Sequence, residues 1–362
     1  MKRFAFLDWM RGLAIVLMIQ CHTFNSFSRM DVREGGPYVL SQFVGGMAAP
    51  LFLFMAGMTF AFQMESRARR EARRLARWTA ALRRGAYVLG IAYLFRFSTC
   101  IASLPRPDWH ELTKVDILNC MGLAMLCLST AAMFQTSGRV RFALLVGIAA
   151  AAAAPLVANL PWGDTPRIIQ EYLAPGDGQG RGRFPLFPNA AYLAFGLAAG
   201  SIVKATAQER FDRLMQWGVL IGFALVFTGQ YLSNIPYSIY TKTSFWSDNP
   251  SLITIRAGIA LLLLGGCYLW TEYCAGLGWS WMQTLGKNSL MVYWVHVMLV
   301  YGDIFKPLKR GLSIPWTAVA TVTVTGLMLA LSVAWLWWRA VRAKRWRVAT
   351  TVAGQSARPA LS

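Results

Sequence analysis

Two ionisable side chains, Arg11 and His22, stand eleven positions apart in the first apolar stretch of the chain. At about 100° per residue, eleven steps end roughly 20° past three full helical turns, so both side chains share one helix face. The rise between them is roughly 16 Å, about half the thickness of a hydrocarbon core. Asp8 precedes Arg11 by three residues, a spacing that favours an ion pair and lowers the cost of burying both charges.

A histidine placed late in an apolar helix points to acid–base chemistry. The chain has three histidines in all, and a neutral imidazole can accept a proton near neutral pH. Ionisable groups inside a membrane helix are costly and usually have a function. Asp8 and Arg11 also admit a second interpretation, because a charge pair at the start of a spanning helix can serve as an interfacial anchor.

A second polar stripe lies towards the C-terminal end of the chain. Ser289, Tyr293 and His296 follow an i, i+4, i+7 spacing, which places them on one inward-facing side of a helix. Two interpretations of His296 stay open, a functional imidazole or a histidine that is satisfied within the core.

The elements that must position these residues are membrane helices. Apolar residues make up 56% of the 362 residues, and apolar runs of spanning length recur along the chain. We therefore predict an all-α, polytopic transmembrane bundle of about ten helices. The predicted helices span residues 3–25, 43–64, 85–103, 115–134, 142–160, 189–203, 214–232, 252–271, 285–302 and 315–338.

Charge sets the predicted orientation of the bundle. The net charge is +20, and the basic residues cluster in short segments between apolar runs, above all in residues 67–84, which the positive-inside rule places in the cytoplasm. Both termini then lie in the cytoplasm, with a transmembrane domain over residues 1–338 and a basic tail over residues 339–362. We expect no nucleic-acid partner, since that would require a basic face on a soluble domain.

Other features carry a weaker signal. Asp8 and Arg11 interrupt the apolar start of the chain, which favours an uncleaved anchor over a signal peptide. The six cysteines lie mostly inside predicted helices without a C-x-x-C pair, so we expect neither disulfides nor a metal site. The glycine-rich tract 176–183 is only a weak match to a phosphate loop. The loop around it, residues 161–188, is a candidate lid over a membrane site.

Three parts of the sequence carry a family resemblance. The first is Leu7-Asp8-x-x-Arg11-Gly12 followed by His22, and the second is Ala49-Pro50-Leu-Phe-Leu-Phe-Met-Ala-Gly57. The third combines Phe184-Pro-Leu-Phe-Pro188, Phe195-Gly196 and Leu285-Gly-Lys-Asn-Ser289-x-x-x-Tyr293-x-x-His296. Together they resemble the membrane-bound acyltransferases of the heparan-alpha-glucosaminide N-acetyltransferase-like group and their relatives, the acyltransferase-3 proteins. The second stretch is similar to the heparan-type branch.

The resemblance implies an integral membrane acyltransferase. Such an enzyme moves an acetyl or other short acyl group from cytoplasmic acyl-CoA to an amine or hydroxyl of a carbohydrate on the outer face. It implies that residues 1–338 form the acyltransferase domain, and we expect it in the cytoplasmic (inner) membrane of a bacterium. The expected partners are membrane lipid, the acyl-CoA co-substrate and a glycan acceptor, and a homodimer stays open.

The same resemblance makes His22 the catalytic histidine and Arg11 its motif partner, which Asp8 orients. We expect His296 to orient His22 or to bind the acceptor. The residues assigned to acyl-CoA are Arg11, Lys287, Asn288, Ser289 and Tyr293, and the last three of these could also donate a hydrogen bond to the oxyanion. The residues assigned to the acceptor are Arg96, Asp116 and Asn119.

Two alternatives stay open at this point. His22 either activates the acceptor directly or briefly takes the acyl group itself. A transporter or flippase of a small polar or envelope-glycan substrate is the alternative function, since many helices with internal charges also suit alternating access. The sequence shows no repeat with matching broken helices, which such transporters commonly contain.

Overall fold

The computed structural model describes residues 4–71, 73–102, 109–173, 184–275 and 278–356, and within these ranges the chain is built from α-helices. They are α1 (Ala5–Phe27), α2 (Gly36–Gly45), α3 (Ala48–Ala68), α4 (Arg74–Ala102), α5 (Ile117–Cys127), α6 (Thr136–Ala158), α7 (Arg167–Leu173), α8 (Leu186–Ala205), α9 (Phe211–Ser233), α10 (Pro250–Leu269), α11 (Trp281–Lys287), α12 (Ser289–Tyr301) and α13 (Ile314–Ser356). Short 3₁₀ turns join several of them, and a π-helical turn, Trp270–Cys274, extends α10. The predicted all-α class is confirmed for these residues.

Six segments of the described chain are long and apolar enough to cross a membrane. They are Gly36–Ala68, Thr136–Ala158, Leu186–Ala205, Gln208–Ser233, Pro250–Cys274 and Ile314–Ala343. The chain is therefore an integral, multi-pass membrane protein. Helices α1 and α4 have spanning length but carry polar and ionisable side chains, while α5 and α12 are short. The count of ten spanning helices and the cytoplasmic termini stay predictions.

Helix α1 lies at the centre of the bundle and contacts α2, α3, α10, α11, α12 and α13. Its approach to α11 is close at Gly12 and Gly286. A β-carbon on Gly12 would overlap the carbonyl of Met282, and one on Gly286 would overlap the carbonyl of Asp8. Small residues of this kind let membrane helices pack backbone to backbone. This contact fixes the charged end of α1 against α11.

A buried ion pair connects two other helices of the bundle. Nη1 of Arg139 on α6 lies 3.0 Å from Oε2 of Glu65 on α3, and the arginine side chain is fully buried. Arg139 also donates to the carbonyls of Ala131 and Phe134. Arg139 therefore has a structural role, since breaking a buried pair leaves an uncompensated charge.

Two predicted helices are broken in the structure. The run 43–64 is divided after Gly45, and α3 begins at Ala48, so Pro50 falls in a first turn, where its missing N–H costs nothing. The run 285–302 is divided at Asn288, whose Nδ2 donates to the carbonyls of Thr284 and Ser332, both at 3.3 Å. The side chain of Asn288 therefore supports a break between α11 and α12.

The remaining predictions concern loops and the tail. The loop 161–188 contains the short helix α7, while the glycine-rich tract 176–183 lies outside the described residues. Helix α13 runs past residue 338 without interruption to Ser356, so no helix end marks the predicted boundary between domain and tail. That boundary stays a prediction.

Candidate active site

His22 and His296 are in direct contact inside the bundle. Nδ1 of His22 lies 3.0 Å from Nε2 of His296. The two rings are stacked, with their centroids 5.2 Å apart and their planes inclined by 8°. His296 is fully buried. The structure thus joins α1 to α12 through two histidines that are 274 positions apart in the sequence.

The backbone determines which ring nitrogens carry protons. Nδ1 of His296 lies 2.7 Å from the carbonyl of Val292. A carbonyl only accepts hydrogen bonds, so Nδ1 of His296 is the donor, and in the neutral ring Nε2 is then an acceptor. Nδ1 of His22 therefore donates to His296, and the lone pair of His22 resides on Nε2. This assignment describes the pair when both imidazole rings are neutral.

Further hydrogen bonds hold this end of α1 against α12. The hydroxyl of Ser26 donates to the carbonyl of Val300 at 2.9 Å, and Nδ2 of Asn25 donates to the hydroxyl of Tyr301 at 3.4 Å. The ring of Tyr301 also meets the His22 ring edge-on, with centroids 5.2 Å apart. His22 is therefore oriented by several groups of the neighbouring helix.

His22 lines a cavity of about 470 Å³, which we call the histidine cavity. It lies at the end of the bundle opposite the arginine-rich segment 67–84. Its wall includes Met18, Cys21, His22, Gly46, Pro50, Phe52, Ile117, Phe184, Asn189, Tyr192, Trp246, Ser247, Asp248, Arg256 and Tyr293. The wall combines aromatic and apolar surface with a few polar groups, which is the usual composition of a small-molecule site.

A second cavity, of about 400 Å³, opens towards the arginine-rich segment, and we call it the arginine cavity. Arg11 and Arg84 lie on its wall, together with Thr59, Gln63 and Ser289. Nη1 of Arg11 forms an ion pair with Oδ1 of Asp8 at 3.2 Å, and Asp8 is buried. The charge pair expected from the i, i+3 spacing is therefore present, at the edge of a cavity.

The two cavities meet at three shared residues, Phe52, Ile117 and Tyr293. The hydroxyl of Tyr293 lies close to the carboxylate of Asp116, and Oδ2 of Asp116 pairs with Nε of Arg96 at 3.3 Å. This chain of contacts anchors Tyr293 between the cavities. One thin layer of side chains thus separates a cavity that holds arginines from a cavity that holds the histidine.

The structure places the other predicted site residues as follows. Ser289 and Tyr293 line the arginine cavity, whereas Lys287 is exposed at the end of α11 and Asn288 is buried against backbone carbonyls. Asp116 and Asn119 form a capping box at the start of α5. Both are buried.

Asn119 has one further contact outside its own helix. Its Nδ2 donates to the hydroxyl of Tyr172 at 3.3 Å. Burial raises the pKa of Tyr172, so its hydroxyl stays protonated and can donate in turn to Tyr93, whose oxygen lies 3.0 Å away. The geometry gives Asp116, Asn119 and Arg96 direct contacts with the protein, and their assignment to an acceptor stays a prediction.

Sequence reasoning overlooked Arg256, Asp248 and Tyr192, which all line the histidine cavity. Arg256 lies inside the candidate span Pro250–Cys274, and an ionisable residue within an apolar run is by itself a signal of function. Asp248 and Tyr192 offered no such signal, because only the tertiary fold brings their segments to one cavity. Among the residues searched, no group of three or more His, Cys, Asp or Glu side chains is arranged to hold a metal.

Comparison with known proteins gives one family. Residues 3–241 match the family described as heparan-alpha-glucosaminide N-acetyltransferase, catalytic, while comparison with curated proteins gives no significant match. The matched segment contains Asp8, Arg11 and His22 and ends before α10 and α12, which carry Arg256 and His296. Since the match covers more than half of the 362 residues, the chain belongs to the heparan-alpha-glucosaminide N-acetyltransferase catalytic family and is a membrane acetyltransferase.

Proposed function

We propose that this protein transfers an acetyl or other short acyl group from acyl-CoA in the cytoplasm to an amine or hydroxyl of a carbohydrate on the other side of a bacterial cytoplasmic membrane. The observation that carries the proposal is the hydrogen-bonded sequence Val292 carbonyl, His296, His22, which leaves the lone pair of His22 on Nε2. That nitrogen belongs to a residue on the wall of a cavity. A neutral imidazole oriented by a second group is the arrangement that general-base catalysis requires.

The arginine cavity supports a binding site for the acyl donor. Arg11 and Arg84 lie on its wall, and guanidinium groups bind phosphate oxygens with two parallel hydrogen bonds. Arg11 and His22 share one face of α1 with a rise of roughly 16 Å between them, a distance that the pantetheine arm of CoA can cover. The thioester then reaches the layer formed by Phe52, Ile117 and Tyr293, with His22 beyond it.

The histidine cavity supports the acceptor site, and the reaction balances as a simple acyl transfer. The acceptor nitrogen or oxygen gives its proton to Nε2 of His22 and forms a bond to the thioester carbonyl carbon. Collapse of the tetrahedral intermediate breaks the carbon–sulfur bond. The thiolate of CoA then takes the proton from His22, which restores the neutral imidazole. His296 keeps Nδ1 of His22 in the donor state throughout.

The same lone pair also serves a two-step route. Nε2 of His22 attacks the thioester carbonyl carbon, the carbon–sulfur bond breaks, and CoA leaves as the thiolate while the proton of Nδ1 passes to His296. The acceptor then attacks the acyl carbon and the carbon–nitrogen bond breaks. His296 returns its proton to Nδ1 of His22, and the acceptor's proton converts the thiolate to the thiol. The routes differ in their kinetics, since a covalent intermediate gives parallel lines in double-reciprocal plots at several acceptor concentrations. A direct transfer gives intersecting lines.

The decisive experiment replaces His22 by Ala in the full-length protein reconstituted in phosphatidylcholine nanodiscs. We expect the acceptor-dependent release of CoA thiol from acetyl-CoA to fall about 10²–10⁴-fold, the usual contribution of a positioned general base. Thr23→Val is the matched control, because the Thr23 hydroxyl donates to the carbonyl of Ile19 within its own helix. That variant should keep its activity, and thermal unfolding should show that both variants remain folded.

Full thiol release by a folded His22→Ala variant would overturn the proposal. A transporter would instead move its substrate across vesicles without releasing any thiol, so the same assay separates the two functions. Topology is tested independently by labelling single-cysteine variants from each side of sealed vesicles. Accessibility of residues in the segment 67–84 from the outside would contradict the proposed direction of transfer.

A further inference from the structure

Arg256 is a charged residue within an otherwise apolar membrane helix. It lies six residues after Pro250, the first residue of α10, which corresponds to a depth of roughly 9 Å along the helix axis. The side chain is half-buried and lies on the wall of the histidine cavity. An arginine at this position is costly unless it contacts a counter-charge or serves a ligand.

Within the part of the chain that the structure describes, Arg256 has no counter-charge. Among the described residues, no carboxylate lies within ion-pair distance of its guanidinium. Asp248 lies on the same wall, but its Oδ1 accepts the backbone N–H of Ser244 at 2.6 Å. The side chains on this wall that can carry a charge near neutral pH are therefore Arg256, Asp248 and His22.

A buried tyrosine beside Arg256 gives a second, independent sign of a ligand. The Tyr192 hydroxyl lies next to the guanidinium, and Tyr192 is 2% exposed. The guanidinium is close enough to interact with this hydroxyl, but the two do not form a hydrogen bond of good geometry, and no other described residue supplies one. Buried polar groups are nearly always hydrogen-bonded, so an oxygen-rich group bound between Tyr192 and Arg256 would satisfy both.

Neighbouring contacts bring this pair close to the histidine. Nη2 of Arg256 lies 3.4 Å from the position that a β-carbon on Gly46 would take. Gly45, the preceding residue, packs directly against Cys21, which is adjacent to His22 on α1. Arg256 and His22 thus face one cavity across the end of α2.

We propose that Arg256, assisted by the Tyr192 hydroxyl, binds an acidic group of the acceptor, so that the enzyme selects carbohydrates that carry a carboxylate, sulfate or phosphate beside the amine or hydroxyl to be acylated. The inference rests on the proposed function, because it assumes that the acceptor occupies the histidine cavity. A guanidinium suits this task, since it stays charged and offers a planar fork of donors to an oxyanion. Trp246, on the same wall, adds an aromatic face for the sugar ring.

The test compares two acceptors that differ in one charge. A disaccharide of a hexuronate and a hexosamine is supplied as the free acid or as its methyl ester, with acetyl-CoA and the protein in phosphatidylcholine nanodiscs. We expect Arg256→Gln to raise the KM for the acid by about ten- to a hundredfold, the size of a lost charge-assisted hydrogen bond, and to leave the KM for the ester unchanged. Arg256→Lys should recover part of the loss, and Tyr192→Phe should show a smaller loss with the same preference.

Arg29→Gln is the matched control, because Arg29 lies at the same end of the bundle and pairs with Asp31 outside the cavity. A second readout does not depend on turnover: the acid, but not the ester, should raise the unfolding temperature of the wild type, and Arg256→Gln should abolish the difference. If neither acceptor is acetylated while this stabilisation persists, the proposed function fails and the acid-binding site stands.

Three results would overturn the inference. Equal effects of Arg256→Gln on both acceptors would make Arg256 a structural partner of the end of α2, where it approaches Gly46. Equal stabilisation of the wild type by acid and ester would remove the selectivity. If phosphatidylglycerol nanodiscs suppressed binding of the acid in the wild type but not in Arg256→Gln, the occupant would be a lipid headgroup.

Discussion

The two ends of α1 are held in place by different kinds of contact. At the end with Asp8 and Arg11, α1 packs backbone to backbone on α11 through Gly12 and Gly286, and an ion pair within the helix compensates the buried charge. At the end with His22, the contacts to α12 are hydrogen bonds between side chains or from side chains to carbonyls. The first end is held by close backbone packing and borders the arginine cavity, and the second is held by polar contacts and borders the histidine cavity.

This difference shows how one helix combines rigidity with reactivity. Close packing of glycines leaves little room for movement, so the α11 contact fixes the position of the whole helix. Hydrogen bonds between polar side chains fix orientation and tautomer, which is what a catalytic imidazole needs. The break at Asn288 lets α11 and α12 approach α1 separately, so each end receives its own type of contact.

The comparison predicts the largest effect on activity at His296, after that of His22 itself. His296→Leu removes the acceptor for Nδ1 of His22 and allows the wrong tautomer, so we expect kcat to fall roughly 100-fold while the protein stays folded. His296→Gln offers a side-chain carbonyl to the same N–H and should restore part of the activity. Acetyl-CoA thiol release at saturating donor and acceptor measures both.

Recovery by Gln distinguishes positioning from packing, because Leu fills the buried space at least as well as Gln. If Leu were as active as the wild type, or if Gln and Leu were equally impaired at equal stability, His296 would have no orienting role. His22 would then depend on Tyr301 and the cavity alone.

The prediction from sequence succeeded where chemistry lies within one helix. The shared face of Arg11 and His22 and the ion pair of Asp8 with Arg11 both follow from helical periodicity, and the stripe Ser289, Tyr293 and His296 follows in the same way. The contact between His22 and His296 depends on how α12 packs against α1, which no local pattern specifies. The sequence proposed it as one of two roles for His296.

The breaks in the helices and the two cavities could not be predicted from local sequence patterns, because they too depend on how the helices pack. Glycine and proline near residues 45–50 indicate a perturbed helix, but the position of the break depends on which neighbours satisfy the exposed carbonyls. The histidine cavity draws its wall from nine helices and the segments that connect them, so residues such as Tyr192 and Asp248 look ordinary in the sequence. Arg256 was detectable, since a lone charge in an apolar run is an intrinsic signal.

The closely packed end of α1 should respond to substitution at the glycine contact through stability. Gly286→Ala places a methyl group against the carbonyl of Asp8, so we expect it to lower the free energy of unfolding by about 1–3 kcal/mol, the usual cost of overpacking. Gly218→Ala is the matched control, because nothing lies within 4 Å of a β-carbon there. That variant in α9 should be neutral or slightly stabilised. Thermal unfolding in detergent compares the two, and equal behaviour would mean that α1 and α11 are not closely packed.

The smallest expected effect tests whether the two cavities bind different substrates. Arg11→Gln removes a guanidinium from the arginine cavity, so we expect the KM for acetyl-CoA to rise about tenfold, with kcat and the KM for the acceptor unchanged. Asp8 is 2% exposed and loses the Arg11 ion pair in this variant, which alone would destabilise the helix. The double variant Asp8→Asn, Arg11→Gln removes both charges and should recover stability while the donor KM stays high.

Arg256→Gln should give the reverse pattern, with the acceptor KM raised and the donor KM unchanged. The assignment of one substrate to each cavity would be wrong if Arg11→Gln changed the acceptor KM or if Arg256→Gln changed the donor KM. Both substrates would then share one cavity, and the layer of Phe52, Ile117 and Tyr293 would not divide their sites.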